Sequence, residues 1–292
     1  MKVLLIGANG QLGSDLQPVL TGLGFRVEPC TRAELDITNA EQVEEKCASV
    51  KPDVVINTAA FHKVEICEKE PATSFAVNAI GPWNLARSCR RHDAVLVHFS
   101  TDYVFDGNQS HPYTETDLPH PLNVYGVSKL AGEQIINLSW ERHFIVRTCG
   151  LYGTAGSRGK GGNFVETMLQ QGGQPTPIRV VDDQILTPTF TADLAQAVGA
   201  LIQTTKYGLY HVSAEGQCSW YEFAAKIFDL AGLSKNLTPV STLEFASPVR
   251  RPAYSVLSKQ KLNSLDIEMP SWEDGLRRYL SCRKTKQPLQ TT

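Results

Sequence analysis

The stretch KVLLIGANGQLG, residues 2–13, decides the fold. Its apolar first half predicts a buried strand, and glycines 7, 10 and 13 follow at the mouth of a helix. Gly7 permits a tight turn, Gly10 lets the backbone approach a pyrophosphate, and Gly13 allows close packing of helix on strand. The helix N-terminus adds amide donors and the positive end of its dipole. The stretch therefore predicts the opening strand and helix of a dinucleotide-binding domain.

Outward from this stretch, apolar runs alternate with helical patterns as far as residue 150. We predict strands at 2–7, 25–30, 53–60, 94–101 and 143–148, and helices at 11–24, 39–50, 72–92 and from about 125. Continuous runs of Val, Ile, Leu and Phe are typical of parallel strands that are covered on both faces. With right-handed crossovers, the pattern predicts an α/β, Rossmann-like, doubly wound parallel sheet.

The regular alternation of apolar runs and helical patterns ends at Gly150, which indicates a smaller C-terminal lobe. Residues 154–162 are rich in glycine and predict a flexible loop. Further predicted elements are helices at 163–172, 191–204 and 220–232, and strands at 176–184 and 208–213. We assign 1–150, plus about 186–213, to an NAD(P)-binding Rossmann domain. About 151–185 and 214–282 form a substrate-binding lobe, and 283–292 a flexible tail.

Composition describes an ordinary globular protein with a sizeable core. The chain has 292 residues, a net charge of −2 and a hydrophobic fraction of 42%. No basic field points to nucleic acid. No apolar run has membrane-spanning length, and the start of the chain does not look like a signal peptide. The seven cysteines form no C-x-x-C pair, so we expect reduced thiols and a cytoplasmic protein.

The end of the second predicted strand bears on the choice of coenzyme. Glu28 lies within that strand, and Thr31–Arg32 follow it. An arginine at this place suits the 2′-phosphate of NADPH, although Arg32 is equally compatible with a plain surface position. We therefore expect NADPH, with NADH also compatible.

A second motif, NVYGVSK at residues 123–129, places Tyr125 and Lys129 one helical turn apart on the same face. Reduction of a ketone needs a proton donor beside the carbonyl oxygen, and a phenol can serve if a neighbouring cation lowers its pKa. Ser100 and Thr101 end the preceding strand, where a Rossmann crevice opens. A hydroxyl there can orient the carbonyl. Together the motifs predict a hydride-transfer site.

These motifs carry a resemblance to a known family. The segments GANGQLG, INTAAF, STDYVFDG, PLNVYGVSKLAGE, PTFTADLA and RPAYSVLS resemble the dTDP-4-dehydrorhamnose reductase family of the extended short-chain dehydrogenase/reductase superfamily. The similarity covers residues 1 to about 280. Members reduce the C4 ketone of dTDP-4-dehydro-β-L-rhamnose with NAD(P)H, giving dTDP-L-rhamnose for cell-surface polysaccharide.

The resemblance implies a role for each matching residue. Tyr125 would give the proton, Lys129 would tune it and bind ribose, and Thr101 would hold the carbonyl. The remaining coenzyme contacts would come from Gly7, Gly10, Gln11, Leu12, Gly13, Arg32, Asp36, Ile37, Ala60, Phe61, His62 and Ser100. The dTDP-sugar would meet Asp102, Gly150, Asn163 and Arg251 in addition to Thr101.

Three departures from the family pattern limit what can be carried over. Gly150 stands where the family commonly has a tryptophan of the sugar site, which puts the exact sugar in doubt. His62 and Lys63 replace small or hydroxylic residues. Some members dimerise around Mg²⁺ held by carboxylates. Asp15 matches one such place, but no second carboxylate is evident, so we assign no metal and leave a homodimer open.

Two other readings remain open. The chain can be a reductase of another nucleotide-linked 4-keto-6-deoxysugar, which Gly150 allows. It can also be a non-catalytic NADP-binding regulatory subunit, like the β subunit of methionine adenosyltransferase, although the presence of Thr101, Tyr125 and Lys129 together argues against this. An epimerase or dehydratase would share Tyr125 and Lys129, but a dehydratase needs an acidic pair where only Asp102 stands.

Overall fold

A computed structural model describes residues 1–156, 162–172, 176–234 and 236–286 of the chain. Strands in these ranges are β1 (Lys2–Ile6), β2 (Arg26–Cys30), β3 (Val54–Asn57), β4 (Val95–Thr101), β5 (His143–Thr148), β6 (Leu151–Tyr152), β7 (Ile178–Val181), β8 (Ile185–Leu186), β9 (Thr189–Phe190), β10 (Gly208–His211), β11 (Cys218–Ser219) and β12 (Leu237–Val240). Six of them form one sheet in the order β10-β5-β4-β3-β1-β2. All neighbours in this sheet are parallel.

Helices cover both faces of the sheet. They are α1 (Gln11–Gly22), α2 (Ala40–Val50), α3 (Val64–Lys69), α4 (Pro71–Phe75), α5 (Gly81–Arg91), α6 (Val124–Ser139), α7 (Phe164–Gly172), α8 (Thr191–Leu201), α9 (Trp220–Ala231), α10 (Thr242–Phe245), α11 (Gln260–Asn263) and α12 (Trp272–Lys286). A π-helical segment (Ala76–Ile80) joins α4 to α5, and a 3-10 turn (Asp102–Val104) follows β4. The predicted Rossmann-like doubly wound sheet is confirmed.

Alternation along β1 shows why this strand must be buried on both sides. Val3 and Leu5 pack with α1 and α8 on one face of the sheet. Leu4 and Ile6 pack with α2, α5 and α6 on the other face. All four side chains are at most 1% exposed. Burying an aliphatic side chain of this kind contributes about 1.5–3 kcal/mol, so a continuous apolar run stabilises the sandwich from both sides.

The sheet order places the ligand crevice. From β1 the chain first adds β2 on one side and then β3 on the other. In open parallel sheets, ligands bind outside the carboxyl ends of the strands at such a reversal. Both β1 and β3 carry segments singled out above at their carboxyl ends, since Gly7 follows β1 and Ala60 comes shortly after β3.

Side-chain caps fix several helix starts. Asn39 accepts hydrogen bonds from the amides of Glu41 and Gln42 and so begins α2. Ser219 and Glu222 form a capping box at α9, which ends at a left-handed Gly232. No side-chain cap begins α8, which follows Phe190 and has Thr191 as its first residue.

The part of the chain from about residue 151 onward packs around its own apolar cluster, which includes Tyr152, Phe190, Phe223, Trp272 and Tyr279. Three short strand pairs, β6 with β9, β8 with β11 and β7 with β12, surround it. By contrast, β10 returns to the main sheet beside β5, and α8 packs against α1. The division into a coenzyme domain and a substrate lobe stays a proposal.

Two predicted flexible segments fall partly outside the described residues. Of the glycine-rich loop at 154–162, residues 157–161 lie outside them. Of the predicted tail, residues 283–286 belong to the end of α12, and 287–292 lie outside the described chain. None of the helices in the described ranges is long and apolar enough to cross a membrane.

Candidate active site

Three glycines shape the turn between β1 and α1. Gly7 has a φ of +77°, and a Cβ there would lie 2.5 Å from Oγ1 of Thr58. A Cβ on Gly13 would overlap the carbonyl oxygen of Gly7, so helix and turn touch at this point. Gly10 precedes α1 and gives it no side-chain cap, so the first amides can face an anion. The turn has the shape of a pyrophosphate cradle.

A cavity of about 590 Å³ lies along the carboxyl ends of the central strands. The predicted site residues that line it are Gly7, Gly10, Gln11, Leu12, Arg32, Asp36, Ile37, Ala60, Phe61, His62, Ser100, Thr101, Asp102, Tyr125, Lys129, Gly150 and Asn163. Gly13 lies behind the glycine turn. Arg251 does not line the cavity but pairs with Glu65 of α3. The sequence motifs therefore converge on one cleft, apart from these two residues.

Arg32 and Asp36 lie at one end of the cavity, after β2. Arg32 is exposed and lies two residues beyond the end of β2. Oδ1 of Asp36 accepts hydrogen bonds from N and Oγ1 of Thr38 at 2.9 and 2.7 Å. These bonds hold the pKa of Asp36 below its usual value, so the carboxylate stays charged and the loop stays ordered.

Thr101, Tyr125 and Lys129 approach the cavity from two elements. Thr101 ends β4, and Tyr125 and Lys129 lie in the first two turns of α6. Burial raises the pKa of the Tyr125 phenol, and a hydrogen bond with Thr101 partly opposes this. Burial lowers the pKa of Lys129 to about 8, although Glu133 acts in the opposite sense. The pKa of the phenol is therefore raised, so the expectation that Lys129 lowers it is wrong for this structure, and the phenol is protonated at neutral pH.

Asp102 is 4% exposed and has both oxygens engaged. Oγ1 of Thr101 donates to Oδ1 at 3.0 Å, and Oγ of Ser255 donates to Oδ2 at 2.7 Å. Burial raises the pKa of Asp102 to about 6 despite these bonds. The carboxylate thus orients the Thr101 hydroxyl. Ser255 belongs to the RPAYSVLS motif, which sequence reasoning noticed without assigning this contact.

Three predicted substrate residues, Asn163, Gly150 and Arg251, have different surroundings in the structure. Nδ2 of Asn163 donates a hydrogen bond to the Gly153 carbonyl at 3.0 Å. Oδ1 of the same side chain accepts one from the backbone amide of Glu166 at 3.1 Å and so caps α7. Gly150 has a φ of +58°, and a Cβ there would lie 2.9 Å from Cα of Pro188. The charge of Arg251 acts to lower the pKa of Tyr103, but Arg251 does not line the cavity. Their roles with substrate stay predictions.

Several lining residues were missed by sequence reasoning. Thr148 ends β5, where the crevice rule could have found it, and its Oγ1 is buried without a hydrogen-bond partner in the described structure. Phe164 and Trp220 line the cavity from the C-terminal part, with ring centroids 4.6 Å apart. Nothing local in the sequence marks the place of Trp220 in the cleft.

Asp15 was the one residue that suggested a metal. Its Oδ2 accepts a hydrogen bond from Thr191 of α8. Within the described ranges, no group of three or more His, Cys, Asp or Glu side chains is placed to hold a metal ion.

Comparison with known proteins gives consistent relatives over nearly the whole chain. The family model for the RmlD substrate binding domain matches residues 1–284. The spore coat polysaccharide biosynthesis protein SpsK of Bacillus subtilis is 42% identical over 284 residues, covering 97% of this chain and 98% of its own. A dTDP-4-dehydrorhamnose reductase of Aggregatibacter actinomycetemcomitans is 37% identical over 290 residues, covering 94% and 97% of the two chains.

A solved structure is similar to the same extent. The dTDP-4-dehydrorhamnose reductase of Bacillus anthracis in complex with NADP superimposes with a TM-score of 0.92 at 44% identity, covering 96% of this chain and 98% of that one. The resemblance predicted from the motifs is confirmed: this chain belongs to the RmlD substrate binding domain family, together with proteins named dTDP-4-dehydrorhamnose reductase.

Proposed function

We propose that this protein reduces the C4 ketone of dTDP-4-dehydro-β-L-rhamnose to the alcohol of dTDP-L-rhamnose, with NADPH as the hydride donor. The observation that carries the proposal is the meeting of the glycine turn with Thr101, Tyr125 and Lys129 in one cavity. Relatives of 35% identity or more that are named for this reaction support the substrate.

The cavity fits a dinucleotide on its own evidence. The glycine turn leaves room for a pyrophosphate against the first amides of α1. Oε1 of Gln11 and Oγ1 of Thr148 are buried without protein partners in the described structure, and both residues line the cavity. Buried polar atoms of this kind normally find a partner, which a bound ligand can supply. NADPH, when bound, supplies the hydride.

The protein's own part in the reaction is to supply and direct a proton. As hydride would arrive at C4 from the bound coenzyme, the Tyr125 phenol would give its proton to O4, so the ketone would become a hydroxyl and Tyr125 a phenolate that is reprotonated before the next turnover. Burial keeps this phenol protonated, which is the form that reduction needs. Thr101 now donates to Asp102, so its hydroxyl must turn to O4 when it holds the ketone. Lys129 would bind the nicotinamide ribose.

Arg32 favours NADPH over NADH. Its guanidinium lies beside the cavity just beyond β2, where a 2′-phosphate would reach. The acidic residues of the described cavity lining are Asp36 and Asp102, and the former is already bound to Thr38. The end of β2 therefore offers a cation to the 2′ position. NADH is a weaker alternative.

Gly150 favours a second candidate of the same class, a reductase of another nucleotide-linked 4-keto-6-deoxysugar. The family's usual tryptophan is absent at this position, and the backbone of Pro188 leaves no room for a side chain. The loss of an indole wall removes about 1–3 kcal/mol of apolar contact. The sugar would then be held by other residues, such as Phe164 and Trp220.

The setting is proposed from the thiols. The chain has seven cysteines without a C-x-x-C pair, and six of the seven are buried. An odd number of scattered, mostly buried cysteines is typical of a protein from a reducing compartment, so we propose a cytoplasmic enzyme that acts on a dTDP-sugar. A homodimer stays a prediction.

The proposal is tested by supplying dTDP-4-keto-6-deoxyglucose with an epimerase, or other nucleotide 4-keto-6-deoxysugars, and following NADPH consumption by absorbance. We expect turnover with the epimerised dTDP substrate, and faster turnover with NADPH than with NADH. Turnover of a different 4-keto-6-deoxysugar alone would select the second candidate. Consumption with none of them would overturn both.

A further inference from the structure

Three buried polar side chains form a row beneath the cavity, and the function proposed above uses only the last of them. They are Asn57 at the end of β3, His98 within β4 and Lys129 on α6. Their exposed fractions are 1%, 1% and 2%. Nδ1 of His98 lies 3.1 Å from Nδ2 of Asn57, and Nε2 of His98 lies 3.2 Å from Nζ of Lys129.

The backbone determines which way this row is polarised. Oδ1 of Asn57 accepts the amide hydrogen of Ala59 at 3.1 Å, so Nδ2 must be the atom that faces His98. An amide nitrogen is a donor only, and Nδ1 of His98 must therefore be an acceptor. A neutral imidazole then carries its hydrogen on Nε2, and this N–H is directed at Lys129.

An N–H cannot accept a hydrogen bond from an ammonium, but it can donate to the lone pair of an amine. We propose that His98, held as its Nε2–H tautomer by Asn57, is a positioning residue that favours the neutral amine of Lys129. This inference rests on the proposed function in one respect, because the role of Lys129 in binding coenzyme comes from that proposal. The tautomer itself follows from the hydrogen bonds of the folded chain.

The charged groups around Lys129 do not cancel the effect of His98 on its charge. On its own helix, Glu133 is bound by Arg147 of β5 in a two-point ion pair, with Nε–Oε1 and Nη2–Oε2 distances of 2.9 and 2.6 Å. Oγ of Ser100 also donates to Glu133. The carboxylate therefore already accepts three hydrogen bonds, and its attraction for Lys129 is shared with the guanidinium of Arg147.

The other elements packed on α6 contribute little charge near Lys129. The 3-10 turn after β4 carries the buried Asp102, which accepts hydrogen bonds from Thr101 and Ser255. Neither α4 nor the π-helical segment carries a charged residue. The charged side chains of α3 and α5 are exposed except for Glu65, which pairs with Arg251. On β5, His143 lies at the opposite end of the strand from the cavity.

The consequence concerns how Lys129 works. Burial lowers the pKa of Lys129 to about 8 even though Glu133 acts in the opposite sense, and a facing N–H acts in the same direction as burial. Lys129 can then change its charge near neutral pH, which a solvated lysine cannot do. A coenzyme ribose or a Tyr125 phenolate would favour the ammonium, so the charge would respond to the state of the site.

The direct test is the tautomer of His98, measured by ¹H–¹⁵N NMR on the full chain with ¹⁵N-labelled histidine at about pH 7. We expect an unprotonated Nδ1 and a protonated Nε2, with the signals assigned by their loss in His98→Gln. His211 is an internal reference with the opposite pattern, because its Nδ1 must donate to the Tyr113 carbonyl at 3.0 Å. A protonated Nδ1 on His98, alone or with Nε2, would overturn the proposal.

A variant tests the effect on Lys129. In Asn57→Asp the carboxylate would accept from Nδ1, so the hydrogen leaves Nε2 and an acceptor faces Lys129. We expect the NMR pattern of His98 to reverse and the basic limb of kcat/KM to move up by about one pH unit or more. His143→Gln, at the far end of β5, should leave that limb unchanged. If His98 reverses and the limb stays in place, His98 does not tune Lys129.

These measurements separate two failures. If the wild-type protein consumes no NADPH with any nucleotide 4-ketosugar, the proposed function fails, while the NMR spectrum still decides the tautomer. If Asn57→Asp does not fold, the wild-type spectrum alone decides it.

Discussion

Asp102 is a buried carboxylate between two hydroxyls, and this position couples the cavity to the C-terminal part of the chain. Thr101 belongs to the main sheet, whereas Ser255 comes from the segment that precedes α11. Burial raises the pKa of Asp102 from 3.8 to about 6. Between these two values the folded chain binds a proton more readily than the unfolded chain does. Its contribution to stability is therefore present at low pH and is lost as the pH rises through about 6.

Asp102→Asn should remove this titration. A pKa difference of about two units corresponds to about 3 kcal/mol. The free energy of unfolding of the variant, relative to that of wild type, should therefore rise by about 2 kcal/mol between about pH 4 and pH 7, because part of the difference is already lost at pH 4. Urea unfolding at the two pH values measures it. Parallel pH dependence in the two proteins would show that Asp102 does not titrate as described.

Residues of the site fall into two groups, those that local sequence spacing predicts and those that depend on contacts between distant parts of the chain. The glycine turn, Tyr125 and Lys129 are set by local spacing, so the sequence was enough to predict that they line one cavity, with Gly13 behind it. Ser255 and His98 act through partners 153 and 31 residues away. Such contacts depend on how the sheet and the C-terminal part pack, and local spacing does not carry that information.

At the scale of elements, α6 is held at three points that fix Tyr125. The Asn123 side chain caps the helix by accepting from the amide of Gly126 at 2.9 Å. Oε1 of Glu68 accepts from the amide of Val124 at 2.7 Å. Farther along, a Cβ on Gly132 would overlap the carbonyl oxygen of Asn78 in the π-helical segment. Glycine here lets the two backbones approach.

Gly132→Ala should therefore be destabilising. The added methyl group meets backbone, which cannot rotate away, and overpacking of this kind costs about 1–3 kcal/mol. Gly22→Ala at the end of α1 is the matched control, because its new methyl group meets nothing within 4 Å. We expect no loss of unfolding free energy in the control, measured by urea denaturation. Equal stability of the two variants would contradict the close contact.

Element prediction succeeded where periodicity was strong and failed where tertiary contacts decide. The strands of the main sheet and helices α1, α2, α8 and α9 follow their apolar patterns. The helix expected at 72–92 is divided by a π-helical segment, in which Asn78 bonds Phe61 and Ser128. The two-residue strands β6, β8, β9 and β11 have no pattern of their own and exist only through their pairing.

At the scale of the molecule, the cavity joins the main sheet to residues of the C-terminal part, including Asn163 and Trp220. A coenzyme in this cleft would bind the folded chain alone and so stabilise all of it. At a hundredfold excess over Kd, binding adds about 2.7 kcal/mol, which is about 5 °C or more in Tm for a chain of this length.

Arg32→Ala should reduce this stabilisation selectively. We expect NADPH affinity to fall about tenfold or more, with NADH affinity nearly unchanged, because only NADPH carries the 2′-phosphate. Arg26→Ala, an exposed arginine at the other end of β2, should bind both coenzymes as wild type does. Thermal shift and coenzyme titration provide the readout. An equal loss for NADPH and NADH would remove Arg32 from the phosphate site.

The central claim is that the Tyr125 phenol gives the proton in a ketone reduction within this cavity. Its most direct test is steady-state NADPH consumption by Tyr125→Phe with the epimerised dTDP-4-keto-6-deoxysugar, alongside coenzyme titration and the control Tyr207→Phe, whose hydroxyl binds Arg142 at 3.3 Å. We predict a fall in kcat of about 10²–10⁴-fold with coenzyme affinity nearly unchanged, and a control that behaves as wild type. Wild-type turnover in Tyr125→Phe would contradict the account.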